Sequence, residues 1–315
     1  MGVDVGGTKI LAGVVDENGQ ILYSQRYPTN RTDQEAVLNS IQEAVEQAMK
    51  SLPQGMAPGA MGVGLVGWVD PASGTWLQSM NLNVDSPIPL ADVLSSQYGI
   101  PVVLDNDVHA AALAEIVWGI GRQSENFIYL NAGTGIAAGV VCNGRLVRGA
   151  ANYAGELGHM FVDGAGEACV CGQIGCLEPL ASGGGMLERV RAYLPRYAGS
   201  CLGALEETNR LSATAIFEAA DGGDALAALV AGEAIAALGT ALVNVINLLN
   251  PEYVVLGGGI FSTGRARERL QDYVQARALA IAYRSLKGII PSSLEVGRVG
   301  LLGAASLAWQ YRNGF

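Results

Sequence analysis

The sequence predicts an α/β protein built from two similar lobes, and three observations predict it. A chain of 315 residues is long enough for two domains of ordinary size. Half of its residues are apolar and 43 are glycine, the profile of a compact α/β protein rich in close backbone turns. The third observation is an internal duplication: DVGGTKILAGVVDENGQIL, from Asp4 to Leu22, has a partner in NAGTGIAAGVVCNGRLV, from Asn131 to Val147. Gly7, Thr8, Ile10, Ala12, Gly13, Val14 and Val15 match Gly133, Thr134, Ile136, Ala138, Gly139, Val140 and Val141, and one deletion in the turn then pairs Gly19 with Gly144. Each copy reads as a Gly-rich turn, an apolar strand and a hairpin at Asn18-Gly19 or Asn143-Gly144. Two hairpins that resembled each other by chance would not be expected to share the string G-T-x-I-x-A-G-V-V.

The remaining elements follow in order. Thr32 and Glu35 have capping-box spacing, and Ala36, Leu38, Ile41, Val45, Ala48, Met49 and Leu52 recur at mostly helical intervals until Pro53 and Gly55 end the run. Met61 to Val66 reads as a strand and Gly67 to Asn83 as a turn-rich excursion. Ile100 to Leu104 is a short apolar strand leading through Asp105, Asn106, Asp107, Val108 and His109 into a helical run from Ala110 to Trp118. Asp107 therefore falls near a helix N-terminus, where a carboxylate is held in its ionised form; from this stretch alone it is an N-cap or a functional acid. Gly183 to Tyr193 opens a helical region, and Gly199 to Asp224 is loop-rich with short helical pieces. Ala225 to Leu249 is a long apolar helix stopped by Asn250-Pro251. A strand from Tyr253 to Leu256 runs into Gly257, Gly258 and Gly259, which permit close backbone approach or make a tight turn. Helices are expected over Arg265 to Ala282 and Leu301 to Tyr311.

Charge and hydropathy exclude several classes. A formal net charge of −10 argues against a nucleic-acid partner, because phosphate neutralisation needs clustered Lys and Arg. It suits an anionic nucleotide only if local groups, a metal and backbone amides offset the repulsion. The opening MGVDVGG is already a strand, without the basic and apolar regions of a signal peptide, and Gly6 breaks the myristoylation pattern. Glu233, Asn244 and Asn247 interrupt the apolar stretch from Ala225 to Leu249, which reads as a buried helix rather than a membrane span. A cytoplasmic protein with no membrane partner is the resulting expectation.

Chemistry concentrates between Glu156 and Glu178, in ELGHMFVDGAGEACVCGQIGCLE. His159, Cys169, Cys171 and Cys176 form H-x9-C-x-C-x4-C, with Gly172 and Gly175 supplying tight turns. Four soft or borderline ligands leave no position open for water, which points to a structural zinc ion that pins the loop; buried free thiols are the alternative. Without a secretory signal, disulfides are not expected. Cys142 and Cys201 lack partners at ligand spacing. The flanking Glu156 and Glu178 are acceptor-only groups, suited to vicinal sugar hydroxyls or to plain solvation.

E-L-G-H followed by C-x-C-G-x-x-G-C-x-E resembles the signature of the ROK family of repressors, open reading frames and sugar kinases. The duplicated hairpins likewise resemble the actin and hexokinase fold, in which two ribonuclease-H-like lobes flank a central cleft and close on a nucleotide. The resemblance implies an N-terminal lobe of residues 1–105 plus about 300–315, since the last helix crosses back, and a C-terminal lobe of residues 106–299 carrying the zinc loop. It implies an ATP- and magnesium-dependent hexose kinase in which Asp107 is the catalytic base, within a sequence similar to the family's N-D-x-x-A-A-A-x-x-E motif. Asn81, Asn106, Glu156, His159 and Glu178 would orient the sugar, with His159 giving its other ring nitrogen to zinc. Asp4, Gly6, Gly7, Thr8 and Lys9 would clamp phosphates together with Gly133, Thr134 and Gly135, Asp4 holding magnesium through water and Gly257, Gly258 and Gly259 bordering the adenosine. The first string lacks Walker spacing and is not a P-loop.

Glucose is the substrate this resemblance favours, with N-acetylmannosamine, N-acetylglucosamine and fructose as alternatives; polyphosphate as donor fits less well, since the family's polyphosphate glucokinases generally lack the cysteine cluster. A non-catalytic sugar sensor, a repressor-derived sugar-binding protein or a filament-forming actin relative would be a different class, and repressor relatives carry a helix-turn-helix ahead of the first strand. A homodimer or homotetramer is the expected assembly. Two departures bear on specificity: Val108-His109 stands where relatives commonly have Ala-Asn, and Asn83-Val84 where many have Gly-Trp. His109 reads as a helix-face residue rather than a second base.

Overall fold

Both copies of the duplicated segment fold as strand pairs within five-stranded sheets of one topology. In the computed structural model, which describes residues 1–313 apart from 165 and 296, the first sheet holds β1 (Gly2–Val5), β2 (Lys9–Val15), β3 (Ile21–Pro28), β4 (Met61–Leu65) and, after the separate hairpin β5 (Trp68–Asp70) and β6 (Thr75–Gln78), β7 (Val102–Asn106). Its order is β3-β2-β1-β4-β7, antiparallel from β1 to β3 and parallel from β1 through β4 to β7. The second sheet holds β8 (Phe127–Ala132), β9 (Ile136–Cys142), β10 (Arg145–Leu146), β11 (Tyr253–Gly257) and β12 (Gly288–Pro291) in the order β10-β9-β8-β11-β12. This is the same permutation, with β8, β11 and β12 parallel. The duplication read from one hairpin therefore extends to a whole sheet.

By contacts the chain divides into two compact units, one of Met1–Glu125, Gly139–Ala154 and Ser292–Phe315, the other of Asn126–Ala138 and Gly155–Pro291. The first runs past residue 105 because α3 (Asp107–Trp118) packs on the C-terminal helix Val299–Asn313, which itself lies on β1 and β4. That packing needs bare backbone. A Cβ at Gly62 would stand 1.8 Å from the Ala304 carbonyl oxygen, and one at Gly2 would stand 2.6 Å from that of Leu301. The other face of the sheet carries α1 (Gln34–Lys50) and α2 (Leu90–Tyr98) over Val3, Ile10, Ile41, Val63, Leu94 and Leu104, all fully buried.

In the second unit α8 (Ala225–Leu249) is long and apolar enough to cross a membrane by length and composition alone. Here it is a core helix: Leu226, Val230, Leu238, Leu242 and Ile246 are buried, and α4 (Leu177–Ala181), α5 (Gly183–Tyr193), α7 (Ala213–Asp221) and α9 (Gly264–Arg277) pack around it. Its Glu233 pairs with Arg189 of α5. Two shorter helices, α6 (Leu202–Glu207) and α10 (Ala280–Ser285), complete this unit.

Several local expectations change. The cap of α1 is Asp33, whose Oδ1 accepts from Ala36 N at 2.9 Å, while Thr32 donates its hydroxyl to Asn30; the capping box at Thr32 and Glu35 does not form. The helix expected from Arg265 to Ala282 breaks at Ala278, which is extended, and Leu279 N donates to Asn247 Oδ1 of α8 at 3.0 Å instead of continuing the helical ladder. The excursion after Gly67 contains the β5–β6 hairpin. Asn143 and Gly144, at φ 49° and 71°, form the two-residue turn of the second copy, whereas the first uses a longer turn closed by Gly19 at φ 83°.

Candidate active site

Because β1, β4 and β7 are parallel neighbours, their carboxyl ends share one edge of the first sheet, the edge where α/β proteins place ligands. Asp4 of β1 is in register with Gly64 of β4, which is in register with Asp105 of β7, and Asp107 opens α3 two residues later. Strand and helix lie close at Gly64, where a Cβ would stand in ordinary van der Waals contact, 3.7 Å from Asp107 Cα. Burial, and after it the negative charge of Asp4, raise the Asp107 carboxyl to about 7, against hydrogen bonds from the amides of Val108 and of Asp107 itself. Burial also raises Asp4 to about 6, with Lys9 pulling the other way. Asp4 lies against Gly300 of the C-terminal helix, where any Cβ would meet its Oδ2 at 2.2 Å. Two carboxyls pushed upward by desolvation, and at Asp107 by like charge as well, suit proton transfer near neutral pH.

Asn106, not Asp107, caps α3. Its Oδ1 accepts from Val108 N at 2.9 Å and His109 N at 3.2 Å, and its Nδ2 donates to Gly67 O at 3.1 Å. The amide thus fixes both the helix start and the turn that opens the β5–β6 hairpin, and keeps one N–H for a ligand. Asn81 lies beyond that hairpin on an exposed single turn of 3-10 helix, Met80–Leu82. Asn83 follows at φ 52°, a conformation that explains why Asn can stand there in place of Gly.

The first hairpin is tight: Gly6 N donates to Lys9 O at 3.0 Å, and Thr29 Oγ1 donates to Gly6 O at 3.0 Å, leaving Thr8 and Lys9 exposed at its tip. Its counterpart closes with Gly133 N donating to Gly135 O at 3.0 Å. In the second unit this hairpin and the triple glycine sit at the carboxyl ends of the parallel neighbours β8 and β11. Gly257 and Gly258 are required by packing, since a Cβ at either would stand 2.2 Å from Tyr129 Oη or Ala132 O respectively; Gly259 faces open space.

Glu178, in α4, joins the cysteine segment to the hairpin. Its Oε2 accepts from Ile136 N at 2.8 Å and lies against Gly135 and Gly158, where a Cβ would meet it at 2.6 and 3.1 Å. At the start of α5, Gly183 N donates to Gly133 O at 2.8 Å and Gly184 N to Thr134 O at 3.2 Å. His159 faces two ways: Nδ1 lies 3.5 Å from Cys169 Sγ, and Nε2 lies 3.9 Å from Glu156 Oε2.

Cys171 Sγ and Cys176 Sγ are 3.7 Å apart, and all four ligand atoms fall within 4.8 Å of one another. Ligand atoms at about 2.3 Å from a central ion stand about 3.8 Å apart in a tetrahedron, so the donor set fits a four-coordinate soft ion. Gly172 and Gly175, at φ 87° and 89°, make the turns that the ligand spacing needs. A hydrogen bond from the Gln173 amide, followed by one from Cys169, lowers the Cys171 thiol to about 7, towards the thiolate that metals prefer.

Within the first unit the fold brings together Asp4, Asn106 and Asp107, with Lys9 close enough to act on Asp4. Within the second it joins Glu178 to the Gly133–Gly135 turn, and His159 to Glu156 and the three cysteines. Sequence reading missed a third group. Asp105 and His109 are both buried, His109 Nδ1 lies 3.4 Å from Asp105 Oδ1, and Arg148 Nη1 lies 2.7 Å from Asp105 Oδ2. The acidic run Asp105-Asn106-Asp107 could have flagged the first carboxylate, but nothing local in the sequence points to Arg148.

Comparison with known proteins shows what the chain is similar to. The ROK family model matches residues 1–311. A glucokinase of Thermotoga maritima is 32% identical over 98% of this chain and 96% of its own length. A xylose repressor of Caldicellulosiruptor bescii is 28% identical over 91% of this chain and 72% of its own. The solved structure of a Streptomyces griseus ROK glucokinase with glucose and AMPPNP is 32% identical, covers 98% of each chain and superposes with a TM-score of 0.77.

Because Asp4 and Asp107 titrate above the unfolded carboxylate value, the folded chain binds more protons than the unfolded one between about pH 4 and 7, and the pair's contribution to stability falls as pH rises through that window. The double variant Asp4→Asn/Asp107→Asn should therefore be more stable than the parent at pH 7.5, by roughly 2 kcal/mol, and show little gain at pH 4. Urea unfolding at the two pH values measures this difference.

Proposed function

The chain belongs to the ROK family, and on that premise we propose that it phosphorylates a hexose, glucose first, with ATP as the donor. The observation that carries the proposal is Asp107, a carboxyl at a strand-end edge raised to about 7 by burial and by Asp4, as a base working near neutral pH requires. The Asp107 carboxylate takes the proton of a sugar hydroxyl as that oxygen bonds to the γ-phosphorus; the bond from phosphorus to the β-phosphate oxygen breaks, and ADP leaves. Magnesium supplies charge neutralisation at the phosphates when bound, and Asp4 is the group that would hold it through water. Gly7, Thr8 and Lys9, in the hairpin that Gly6 closes, offer amides and one ammonium to phosphate oxygens, and Thr134 and Gly135, in the turn that Gly133 closes, offer amides of the same kind, while the Gly257-Gly258-Gly259 turn, open at Gly259, lets the nucleoside approach backbone.

Asn81, Asn106, Glu156, His159 and Glu178 orient the sugar in this reading. Glu156 lies on the Nε2 side of His159 and the thiols on its Nδ1 side, which supports a ring that holds a metal and a substrate at once. Zinc held by His159, Cys169, Cys171 and Cys176 is structural, since four protein ligands leave no open position. A soluble cytoplasmic homodimer or homotetramer completes the proposal. The likeness to a xylose repressor favours a second reading, a sugar sensor without catalysis, against which stands the raised carboxyl pair: a sensor has no use for a base near pH 7.

An ADP-release assay across glucose, N-acetylmannosamine, N-acetylglucosamine and fructose separates these readings. Turnover should be fastest with glucose, and Asp107→Asn should lower kcat by about a thousandfold with a sugar KM within about threefold of the parent. No ADP release with any sugar would leave the sensor reading in place. Elemental analysis of the purified chain should give about one zinc per protomer, and Cys176→Ser should lose it; metal-free protein with an unchanged thermal midpoint would leave the cysteines as buried thiols.

A further inference from the structure

His109 is used by neither the phosphotransfer scheme nor the metal cluster, yet it is 4% exposed, with one ring nitrogen hydrogen-bonded and the other facing a buried carboxylate. Nε2 lies 2.8 Å from Ala154 O, an acceptor, so Nε2 must carry the proton. Nδ1 then faces the Asp105 carboxylate at 3.4 Å, and Arg148 closes on the other oxygen of that carboxylate at 2.7 Å. A neutral ring would aim a lone pair at a carboxylate oxygen; a protonated ring donates to Ala154 and sets its positive charge beside Asp105, in ion-pair range although Nδ1 makes no hydrogen bond there. The charge of Asp105, with the bond to Ala154, raises the His109 pKa although burial pulls it down.

The two anchors are the ends of one short loop. Arg148 and Ala154 close it, Ala154 N donating to Arg148 O at 3.1 Å, with Gly149 and Asn152 at φ 73° and 64°. Between them Tyr153 packs edge-on against Trp68, at 6.3 Å between centroids, on the hairpin that leads to Asn81. One side of the loop is therefore tied to the first turn of α3, which carries Asn106 and Asp107, and another to the excursion that carries Asn81. Ala154 is also the last residue before the segment that opens with Gly155 and Glu156.

We propose that His109 is a positioning residue for the sugar: with Asp105 and Arg148 it fixes the 148–154 loop to the start of α3 and so sets the placement of Asn106, Asp107 and Asn81. The inference rests on the sugar-kinase reading for its kinetic consequence and on geometry alone for its structural one. An ammonium or hydroxyl at residue 109 would not span both partners, whereas a Gln amide can reach Ala154 O in place of Nε2.

Three variants of the full chain test it: His109→Phe, which keeps the ring volume and loses the bond to Ala154 and the charge facing Asp105; His109→Gln, which restores the bond to Ala154; and Arg148→Met, at the more exposed end of the network. His109→Phe and Arg148→Met should raise the KM for the sugar about tenfold while leaving the KM for ATP unchanged, and His109→Gln should return the sugar KM to within about threefold of the parent. Amide exchange in residues 148–154 should speed up in the first two variants and not in the third. An unchanged sugar KM in His109→Phe, or a parallel rise for sugar and ATP, overturns the proposal. A parent chain that turns over no sugar would defeat the kinase reading alone, and exchange in the 148–154 loop would then decide the positioning role: protection unchanged in His109→Phe would overturn it.

Discussion

Two carboxylates forced together at the ends of parallel strands are the constraint around which the first unit is built. Asp4 and Asp107 are half-buried, and desolvation of both with the charge of Asp4 acting on Asp107 costs stability, an arrangement that persists only where the surrounding packing dictates it. The dictating elements are specific. Gly300 leaves room for Asp4, and Gly2 and Gly62 let the C-terminal helix lie directly on β1 and β4. Asn106 takes over the capping of α3, sharing the Val108 amide with the Asp107 carboxylate and holding the His109 amide alone.

The second unit follows a different principle, a continuous hydrogen-bonded block in place of a charged pair. Glu178 belongs to the segment the cysteines define, yet its oxygen receives the amide of Ile136 directly after the Gly133–Gly135 turn. The first amides of α5 hold the carbonyls of Gly133 and Thr134, so the turn is gripped from both sides by the chain that follows Cys176. Arg189 of the same helix bonds Glu167, within the cysteine segment, at 2.9 Å and also pairs with Glu233 of α8. Immobilising the four thiol and imidazole ligands therefore also immobilises the Gly133–Gly135 turn, by connections that run entirely through neighbouring residues.

Much of this was legible in the sequence because it lies in local patterns. The shared string of the two hairpins announced a repeated sheet, and both sheets have the same strand order. The H-x9-C-x-C-x4-C spacing, with glycines at the turns, announced a ligand cluster that does converge. What stayed hidden depends on long-range contact. Arg148 meets Asp105 across more than forty residues, and Glu178 meets Ile136 across a similar span, so no window of sequence holds either pair. The helix expected from Arg265 to Ala282 failed for the same reason, because an asparagine on α8 competes for the amide of Leu279. The cap of α1 shifted by one residue, since Asp33 outcompetes Thr32 once Asn30 engages the threonine hydroxyl.

The central claim is electrostatic, that Asp107 is a base kept near neutrality by burial and by its neighbour Asp4. Carbon-13 titration of the labelled carboxyl of Asp107 in the metal-loaded, ligand-free protein measures this directly. The account predicts a midpoint close to 7 that moves down when Asp4 is replaced by Asn. A midpoint near 4 that ignores the replacement would contradict it, and would make Asp107 an ordinary carboxylate at the start of a helix.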